Sequence, residues 1–177
     1  MSQKSKSHVF DLVLFAVMLA AEIILSRFLT VYITQNIKIS LAFIPLAIAC
    51  RRNIVGGVAV GALGDFIGAM LFPVGPYFPG FTLTAAVNAV IYSIVLRGDI
   101  KGKVGFAKGA IAAVLHQLIG GVVLNTVWLC YLYGSPVKVV AISRLIMAAV
   151  MIPVQILLLS PTLRIVDKTI EHYKQIN

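Results

Sequence analysis

Long apolar stretches alternate with short polar segments along the chain. Six apolar runs stand out, at 10–29, 39–50, 54–72, 81–96, 106–133 and 137–165. A helix needs about 20 apolar residues to cross a bilayer, so the pattern predicts an all-α integral membrane protein, a bundle of six transmembrane helices in a single domain, residues 1–177. The second run is too short to span the full thickness alone, whereas the fifth and sixth are long enough to tilt or protrude.

The basic residues are distributed unevenly among the polar segments. With the N-terminus inside, eleven of them fall on the cytoplasmic side: Lys4, Lys6, Arg51, Arg52, Arg97, Lys101, Lys103, Lys108, Arg164, Lys168 and Lys174. Four fall on the outer side or at outer helix ends: Arg27, Lys38, Lys138 and Arg144. Because Lys and Arg accumulate in the cytoplasmic loops of membrane proteins, we expect both termini in the cytoplasm.

The composition agrees with a membrane protein and argues against other classes. Hydrophobic residues make up 60% of the chain and charged residues 12%, whereas soluble domains are about a quarter charged. The net charge of +9 would point to nucleic acid in a soluble protein, but here the basic residues flank apolar runs. The chain has no GxxxxGK[ST], HExxH or GxSxG motif and no CxxC pair, so we expect neither an enzyme nor a metal or other cofactor.

Small residues mark one face on each of two helices. Ala16 and Ala20 lie one turn apart on the first helix, and Glu22 lies on the opposite face. If Glu22 faces a polar interior, the alanines face outward, toward lipid or a partner helix. On the third helix, a glycine face within about 60° predicts tight packing inside the bundle; its members are Gly57, Gly61, Gly64 and Gly68.

Two ionisable residues within the apolar runs are candidates for function. A carboxylate such as Asp65 is costly in a membrane unless it is paired or hydrated; the alternative is a structural partnership with Arg27 or Arg144. The guanidinium of Arg144 suits a carboxylate ligand, although it could instead extend to lipid headgroups. Arg27 falls near the alanine face of an ideal helix, so a pocket role requires the first helix to end or turn there.

The fifth helix and the loop after the third helix indicate a capped pocket. At about 100° per residue, amide and aromatic positions share one face of the fifth helix, an arrangement suited to a flat heterocycle: Gln117, Gly121, Trp128 and Tyr131, with Asn125 at the flank. The alternative for Trp128 and Tyr131 is a belt at the membrane interface, and we interpret His116 as structural. The loop 73–80 holds three prolines and two glycines, which predicts a rigid, non-helical cap.

These motifs together resemble a known family of membrane proteins. The chain resembles the substrate-binding S component of energy-coupling factor (ECF) vitamin transporters in its size, six helices and Ala16-x-x-x-Ala20 motif. Four longer segments resemble the folate-type branch: Leu25-Ser-Arg-Phe28, Lys38-Ile-Ser-Leu-Ala-Phe-Ile-Pro45, Gly61-Ala-Leu-Gly-Asp65-Phe-Ile-Gly-Ala and Leu71-Phe-Pro-Val-Gly-Pro-Tyr-Phe-Pro-Gly-Phe-Thr-Leu-Thr84.

The resemblance implies how such a chain works. Members of the family bind a vitamin from outside, dock on a transmembrane coupling subunit with two ATPase subunits, and deliver the vitamin by toppling in the membrane. Folate is then the expected ligand, with pantothenate or a pyrimidine or pyridine vitamin as the alternative. Ala16 and Ala20 are the expected docking residues, in a prokaryotic plasma membrane.

The chemistry of folate can be matched to three sets of side chains. Aromatic residues can stack on or cover its flat rings: Tyr77, Phe78, Phe81, Trp128 and Tyr131. Polar residues can satisfy its donor and acceptor edges: Asp65, Asn88, Gln117 and Asn125. Basic residues can meet its carboxylates: Arg27, Lys38 and Arg144. We expect the pterin end to lie deeper and the glutamate end nearer the outer loops.

Two other functions are compatible with a small polytopic chain. A self-sufficient transporter or channel predicts an internal repeat or a ring of charges along a pore, and the sequence shows neither. A purely structural membrane protein would not require Asp65, Arg144 and the cap loop.

Overall fold

The computed structural model, which describes residues 3–32, 38–100 and 102–176, is a bundle of six helical segments. They are α1 (Gln3–Arg27), α2 (Phe43–Arg52), α3 (Ile54–Leu71), α4 (Pro79–Val95), α5 (Gly102–Tyr133) and α6 (Val137–Ile176). Each of the six predicted runs is present as a helix, so the all-α architecture is confirmed. The first outer segment adds one feature that the apolar pattern did not predict, an antiparallel pair of two-residue strands, β1 (Val31–Tyr32) and β2 (Lys38–Ile39).

Helix length and apolar surface agree with a membrane environment. Four helical stretches are long and apolar enough to cross a bilayer: His8–Arg27, Ile54–Leu71, Gly102–Tyr133 and Val137–Lys168. Large apolar side chains such as Leu12, Val55 and Leu157 are exposed by 69% or more on the outside of the bundle. Surface of this kind is unfavourable in water and is stable against lipid chains.

The short helix α2 lies in the core of the bundle. Its 10 residues span about 15 Å, half of the hydrocarbon core, and six of them are buried. Five of these pack in one apolar cluster with Tyr92 of α4, Leu96 just after α4 and Leu159 of α6. The helix therefore cannot span the membrane alone, as its sequence predicted, and is covered by longer helices instead.

Two ion pairs hold the cytoplasmic end of α2. The Arg51 Nη2 atom lies 2.8 Å from Asp167 Oδ2 of α6, and the Arg52 Nε atom lies 2.5 Å from Asp11 Oδ1 of α1. Arg51 also donates to the backbone carbonyl of Leu96 at 2.9 Å. These contacts connect α2 to three neighbours at the end of the bundle where the basic residues accumulate.

The glycine face of α3 is buried, as predicted from its spacing. A methyl group at Gly61 would lie 3.0 Å from the Ala85 carbonyl of α4, and one at Gly57 would lie 2.7 Å from the Cys50 backbone of α2. At Gly64 it would coincide with the Glu22 carboxylate of α1. The missing side chains thus allow three helices to approach α3 closely.

The alanine face of α1 points away from this packing. Ala16 and Ala20 are exposed, whereas Glu22 is half-buried against α3. The orientation of α1 predicted from the position of Glu22 is therefore confirmed.

The glycine face gives a stability prediction with a control inside the same protein. Gly57→Ala should lower the free energy of unfolding by about 1–3 kcal/mol, the cost of overpacking a rigid contact, because the new methyl group meets Cys50 at 2.6–2.7 Å. Gly109 is also a buried helical glycine, but a methyl group there meets ordinary contacts at 3.7–3.8 Å. Gly109→Ala should therefore be neutral or stabilise by up to about 1 kcal/mol, because alanine favours the helix. Unfolding of both variants in detergent measures the difference, and equal stability of the two would contradict the packing argument.

Candidate substrate-binding cavity

A cavity of about 430 Å³ lies between the helices at the end of the bundle opposite the basic cytoplasmic segments. Its wall comes from the outer parts of α1, α3, α4, α5 and α6 and from the loop between α3 and α4. The lining residues are Glu22, Ser26, Arg27, Asp65, Ala69, Val74, Gly75, Pro76, Tyr77, Phe78, Phe81, Thr84, Ala85, Asn88, Asn125, Leu129, Tyr133, Arg144 and Met147. With the termini in the cytoplasm, this cavity belongs to the outer side.

Arg27 reaches the cavity because α1 ends at this residue. Its Nη2 atom lies 3.7 Å from Asp65 Oδ1 and donates to the Asp65 backbone carbonyl at 3.3 Å. Gly68 provides the space, since a methyl group there would lie 2.9 Å from Arg27 Nε. Of the two partners considered for Asp65, the structure thus selects Arg27.

Asp65 also holds the cap loop against the bundle. Thr82 donates its hydroxyl to Asp65 Oδ2 at 2.7 Å, and the Tyr77 hydroxyl lies 3.2 Å from the same Thr82 oxygen. These hydrogen bonds link Asp65 of α3, Thr82 of α4 and Tyr77 of the loop, whose ring lines the cavity. The Asp65 carboxylate therefore accepts a hydrogen bond on Oδ2 and forms an ion pair with Arg27 through Oδ1.

Aromatic rings of the cap loop and of α4 form the apolar part of the wall. Phe78 contacts Phe81 edge-on at 6.1 Å between ring centroids, and both line the cavity. Phe78 also contacts Trp128 at 5.7 Å and Tyr131 at 5.6 Å. Trp128 donates its indole N–H to the Thr84 hydroxyl at 2.9 Å, so it supports the wall from behind and is not one of the lining residues. Tyr131 is 78% exposed and lies outside the cavity.

The helix α5 does not keep the face that regular spacing predicted. Its residues His116–Leu124 form a π-helical stretch between the α-helical segments Gly102–Leu115 and Asn125–Tyr133. A π turn holds more residues than an α turn, so positions on either side of the stretch are rotated relative to one another. Asn125, predicted at the flank, lines the cavity, whereas Gln117 is buried and is not one of the lining residues.

His116 belongs to a separate polar cluster in the core. Its ring stacks on Tyr92 with centroids 5.1 Å apart, and its Nδ1 atom lies 3.1 Å from Gln155 Nε2. Tyr92 donates to the Gln155 side-chain oxygen at 3.4 Å. The structural interpretation of His116 is therefore confirmed.

Several buried polar atoms of the cavity wall have no hydrogen-bond partner within the described part of the chain. They are Glu22 Oε2, Arg27 Nε, Asn88 Oδ1 and Asn125 Oδ1. Buried polar atoms are almost always paired, so a cluster of unpaired ones around one cavity indicates a polar ligand. An inward-facing Glu22 was the condition for the outward alanine face, and Glu22 was not among the candidate site residues; the signal for it was an acidic residue within an apolar run.

Arg144 is a cation of the wall without an acidic partner. Its Nη1 atom lies 3.5 Å from the Met147 sulfur, and none of the ion pairs found among the described residues involves it. It is therefore positioned to meet an anionic group. The backbone of Lys38 lies in β2, but its side chain falls outside the described part, so the prediction for Lys38 stays a prediction.

A second cavity of about 350 Å³ lies at the cytoplasmic end. Within it Arg51 pairs with Asp167, and Arg164 donates from Nη2 to the Gly102 carbonyl. The outer cavity has aromatic rings, two amide oxygens without a hydrogen-bond partner in the described part of the chain, and an arginine without an acidic partner there. It is the better candidate for a flat ligand with polar edges and an anionic group.

Comparison with known proteins gives a consistent result. The family model described as the ECF transporter substrate-specific component matches residues 10–163. The chain is 36% identical over 155 residues to a folate transporter FolT of Clostridium novyi, covering 86% of this chain and 87% of that protein. It is 32% identical over 151 residues to a folate transporter FolT of Leuconostoc mesenteroides, covering 81% and 79%.

A solved structure shows the same fold. The crystal structure of FolT bound with folic acid superimposes with a TM-score of 0.76 at 27% sequence identity, over 94% of this chain and 95% of that chain. The expectation of an integral membrane transport protein that is not an enzyme is thereby confirmed. The chain belongs to the family of substrate-specific components of ECF transporters.

Proposed function

We propose that this chain binds folate at the outer surface of the cell membrane and delivers it inward in complex with a transmembrane coupling subunit and two ATPase subunits. The observation that supports folate as the ligand is the lining of the outer cavity. Aromatic rings surround one space together with two amide oxygens that have no hydrogen-bond partner, and an arginine that has no acidic partner, among the described residues. Two relatives named as folate transporters and a structural relative bound to folic acid support the same ligand.

The cavity has the size and lining of a small-molecule site. Its volume of about 430 Å³ lies in the usual range of about 300–1,000 Å³ for such sites. Tyr77, Phe78 and Phe81 offer ring faces and edges for the flat parts of folate. Asn88 and Asn125 offer amides for the donor and acceptor edge of the pterin.

Electrostatics orient the ligand in this proposal. Arg27 is already engaged with Asp65, whereas Arg144 has no acidic partner among the described residues. We assign Arg144 to the glutamate carboxylates and the amides to the pterin, so that the pterin lies deeper and the glutamate nearer the outer loops. Trp128 and Tyr131 act through Phe78, which they contact, whereas Gln117 is buried and does not line the cavity.

Docking on the coupling subunit uses the face of α1 that points away from the bundle. Ala16 and Ala20 are exposed and small, so another helix can approach the backbone of α1 closely. The same helix contributes Arg27 to the cavity from its end. Docking and ligand binding therefore use different surfaces of the same helix.

The purified chain alone should bind folate tightly without ATP and should hydrolyse no ATP, because it contains no phosphate-binding loop. Calorimetric titration against a panel of vitamins measures the first property and phosphate release the second. Tight binding of pantothenate or a pyrimidine vitamin, with no measurable folate binding, would assign the chain to a sister branch of the family.

Arg144→Ala should weaken folate binding by about 1.5–3 kcal/mol, the range for a hydrogen bond to a charged group. It should weaken a pterin without glutamate much less, because that ligand lacks the carboxylates. Arg97→Ala is the matched control, since it removes an exposed cytoplasmic charge far from the cavity. Equal losses for both ligands would refute the carboxylate role of Arg144.

Ala16→Trp and Ala20→Trp should block uptake by the complete transporter while leaving folate binding intact. A bulky ring on this face keeps a partner helix at a distance. Leu157→Trp adds the same bulk at a lipid-exposed position of α6 and should be tolerated. Normal transport by either alanine variant would remove the docking role, and loss of folate binding by both would place the alanines in internal packing.

A further inference from the structure

The cavity of about 350 Å³ at the cytoplasmic end is separate from the outer site and has a charged lining of its own. It lies between the end of α2, the segment that joins α4 to α5, and α6. Its basic residues are Arg51, Arg164 and Lys168, and its acidic residues are Asp99 and Asp167. Three positive and two negative charges leave the lining with a net charge of +1.

One pair of opposite charges in this cytoplasmic cavity is already satisfied by the protein. Arg51 donates from Nε and Nη2 to the two carboxylate oxygens of Asp167, at 3.3 and 2.8 Å. Its Nη1 atom donates to the Leu96 carbonyl at 2.9 Å. This two-pronged pair connects α2 to α6, and its charges cancel. It therefore supplies the frame of the cavity and not a charge for a ligand.

The other two basic residues are not used in this way. Arg164 and Lys168 lie one turn apart on α6, so they are neighbours on its surface. None of the ion pairs found in the described part of the chain involves either of them. Arg164 donates from Nη2 to the Gly102 carbonyl, but its Nε atom is buried and has no hydrogen-bond partner among the described residues. A buried donor of this kind is costly until an acceptor binds it.

The position of the cavity along α6 indicates which acceptor can reach it. The apolar span of α6 ends at Lys168, so Arg164 and Lys168 lie where lipid headgroups meet the cytoplasm. Ile165 lines the cavity and is 66% exposed, and Pro161, one turn further into the membrane, is exposed as well. An apolar strip thus leads from the basic residues into the hydrocarbon region. A phospholipid has the same order of groups, with a phosphate at the interface and an acyl chain beneath it.

We propose that the cytoplasmic cavity binds one anionic phospholipid of the inner leaflet, with its phosphate at Arg164 and Lys168 and an acyl chain along Pro161 and Ile165. Basic pockets between transmembrane helices on the cytoplasmic side suit such headgroups. A net negative headgroup is preferred over a zwitterionic one, because the ammonium group of the latter offsets the phosphate charge and the lining is net positive. A free phosphate ion or an acidic peptide has no chain for the apolar strip.

The test counts lipids bound to the intact purified protein by native mass spectrometry, with phosphatidylglycerol and phosphatidylcholine of the same acyl chains. The wild type should bind one phosphatidylglycerol at least about fivefold more tightly than phosphatidylcholine. Arg164→Gln and Lys168→Gln should each weaken phosphatidylglycerol by about fivefold, the contribution of one basic residue near an anionic lipid surface. Arg97→Gln is the control, because it removes an exposed cytoplasmic charge that does not line the cavity, and it should leave binding unchanged.

Equal binding of the two lipids by the wild type would overturn the proposal without any variant. An equal loss in Arg97→Gln and Lys168→Gln would also overturn it, because the effect would then belong to the general charge of the cytoplasmic surface. Lys168 is exposed, so its variant decides the matter even if Arg164→Gln folds poorly. Millimolar inorganic phosphate should not displace phosphatidylglycerol, and full displacement would show a site for free anions instead of a lipid. The result is independent of folate binding, since the two cavities lie at opposite ends of the bundle.

Discussion

Close helix packing around the glycine face of α3 is the constraint on which the rest of this structure depends. In lipid there is little hydrophobic force between helices, so association relies on backbone approach and on satisfied polar contacts. Gly57 and Gly61 bring α2 and α4 against α3, while Gly64 and Gly68 leave room for side chains of α1. One row of small residues thus packs the cytoplasmic half of the bundle and shapes the wall of the cavity in the outer half.

The polar groups of the outer half divide into those that hold the protein together and those left for a ligand. Asp65 is engaged by Arg27 and Thr82 and connects α1, α3 and α4. Glu22 and Arg144 have no such partners among the described residues. In a low-dielectric environment a satisfied network rigidifies the fold, and an unpaired group is expensive until something binds. This division, and not the mere presence of charged residues, supports the proposal that the cavity binds a ligand.

Much of the fold could be predicted because the membrane imposes simple rules on the sequence. A single apolar run in lipid is expected to be helical, so the six helices and the shortness of α2 follow from the positions and lengths of the apolar runs. The two-residue strands β1 and β2 are too short to leave a pattern, and the apolar pattern did not predict the π-helical stretch His116–Leu124. A constant 100° step does not hold through such a stretch, because a π turn contains more residues than an α turn.

The sequence predicted most of the residues near the candidate site, but not which of them line the cavity directly. Aromatic cap residues and Arg144 lie at the cavity because loops and outer helix ends must meet there, whereas Trp128 lies one layer behind, bound to Thr84. The position of Arg27 at the cavity depends on where α1 ends. The apolar pattern placed this end at residue 29, and the structure places it at residue 27. Which atoms remain unpaired is a property of the assembled bundle, so no reading of single helices could separate Glu22 from Asp65.

The helix α1 carries both the proposed docking face and part of the proposed ligand site. Its exposed face carries Ala16 and Ala20, and its buried face and outer end carry Glu22 and Arg27. Glu22 lines the cavity, and only one residue separates it from Ala20. In the proposed function, a partner bound to the alanine face and a ligand bound in the cavity would therefore act on neighbouring positions of one rigid helix. A ligand that binds one position of the helix better shifts the protein toward it, and by reciprocity a partner that prefers that position strengthens ligand binding. The proposed docking face and the proposed ligand site would thus influence each other through α1, without any contact between the ligand and the partner.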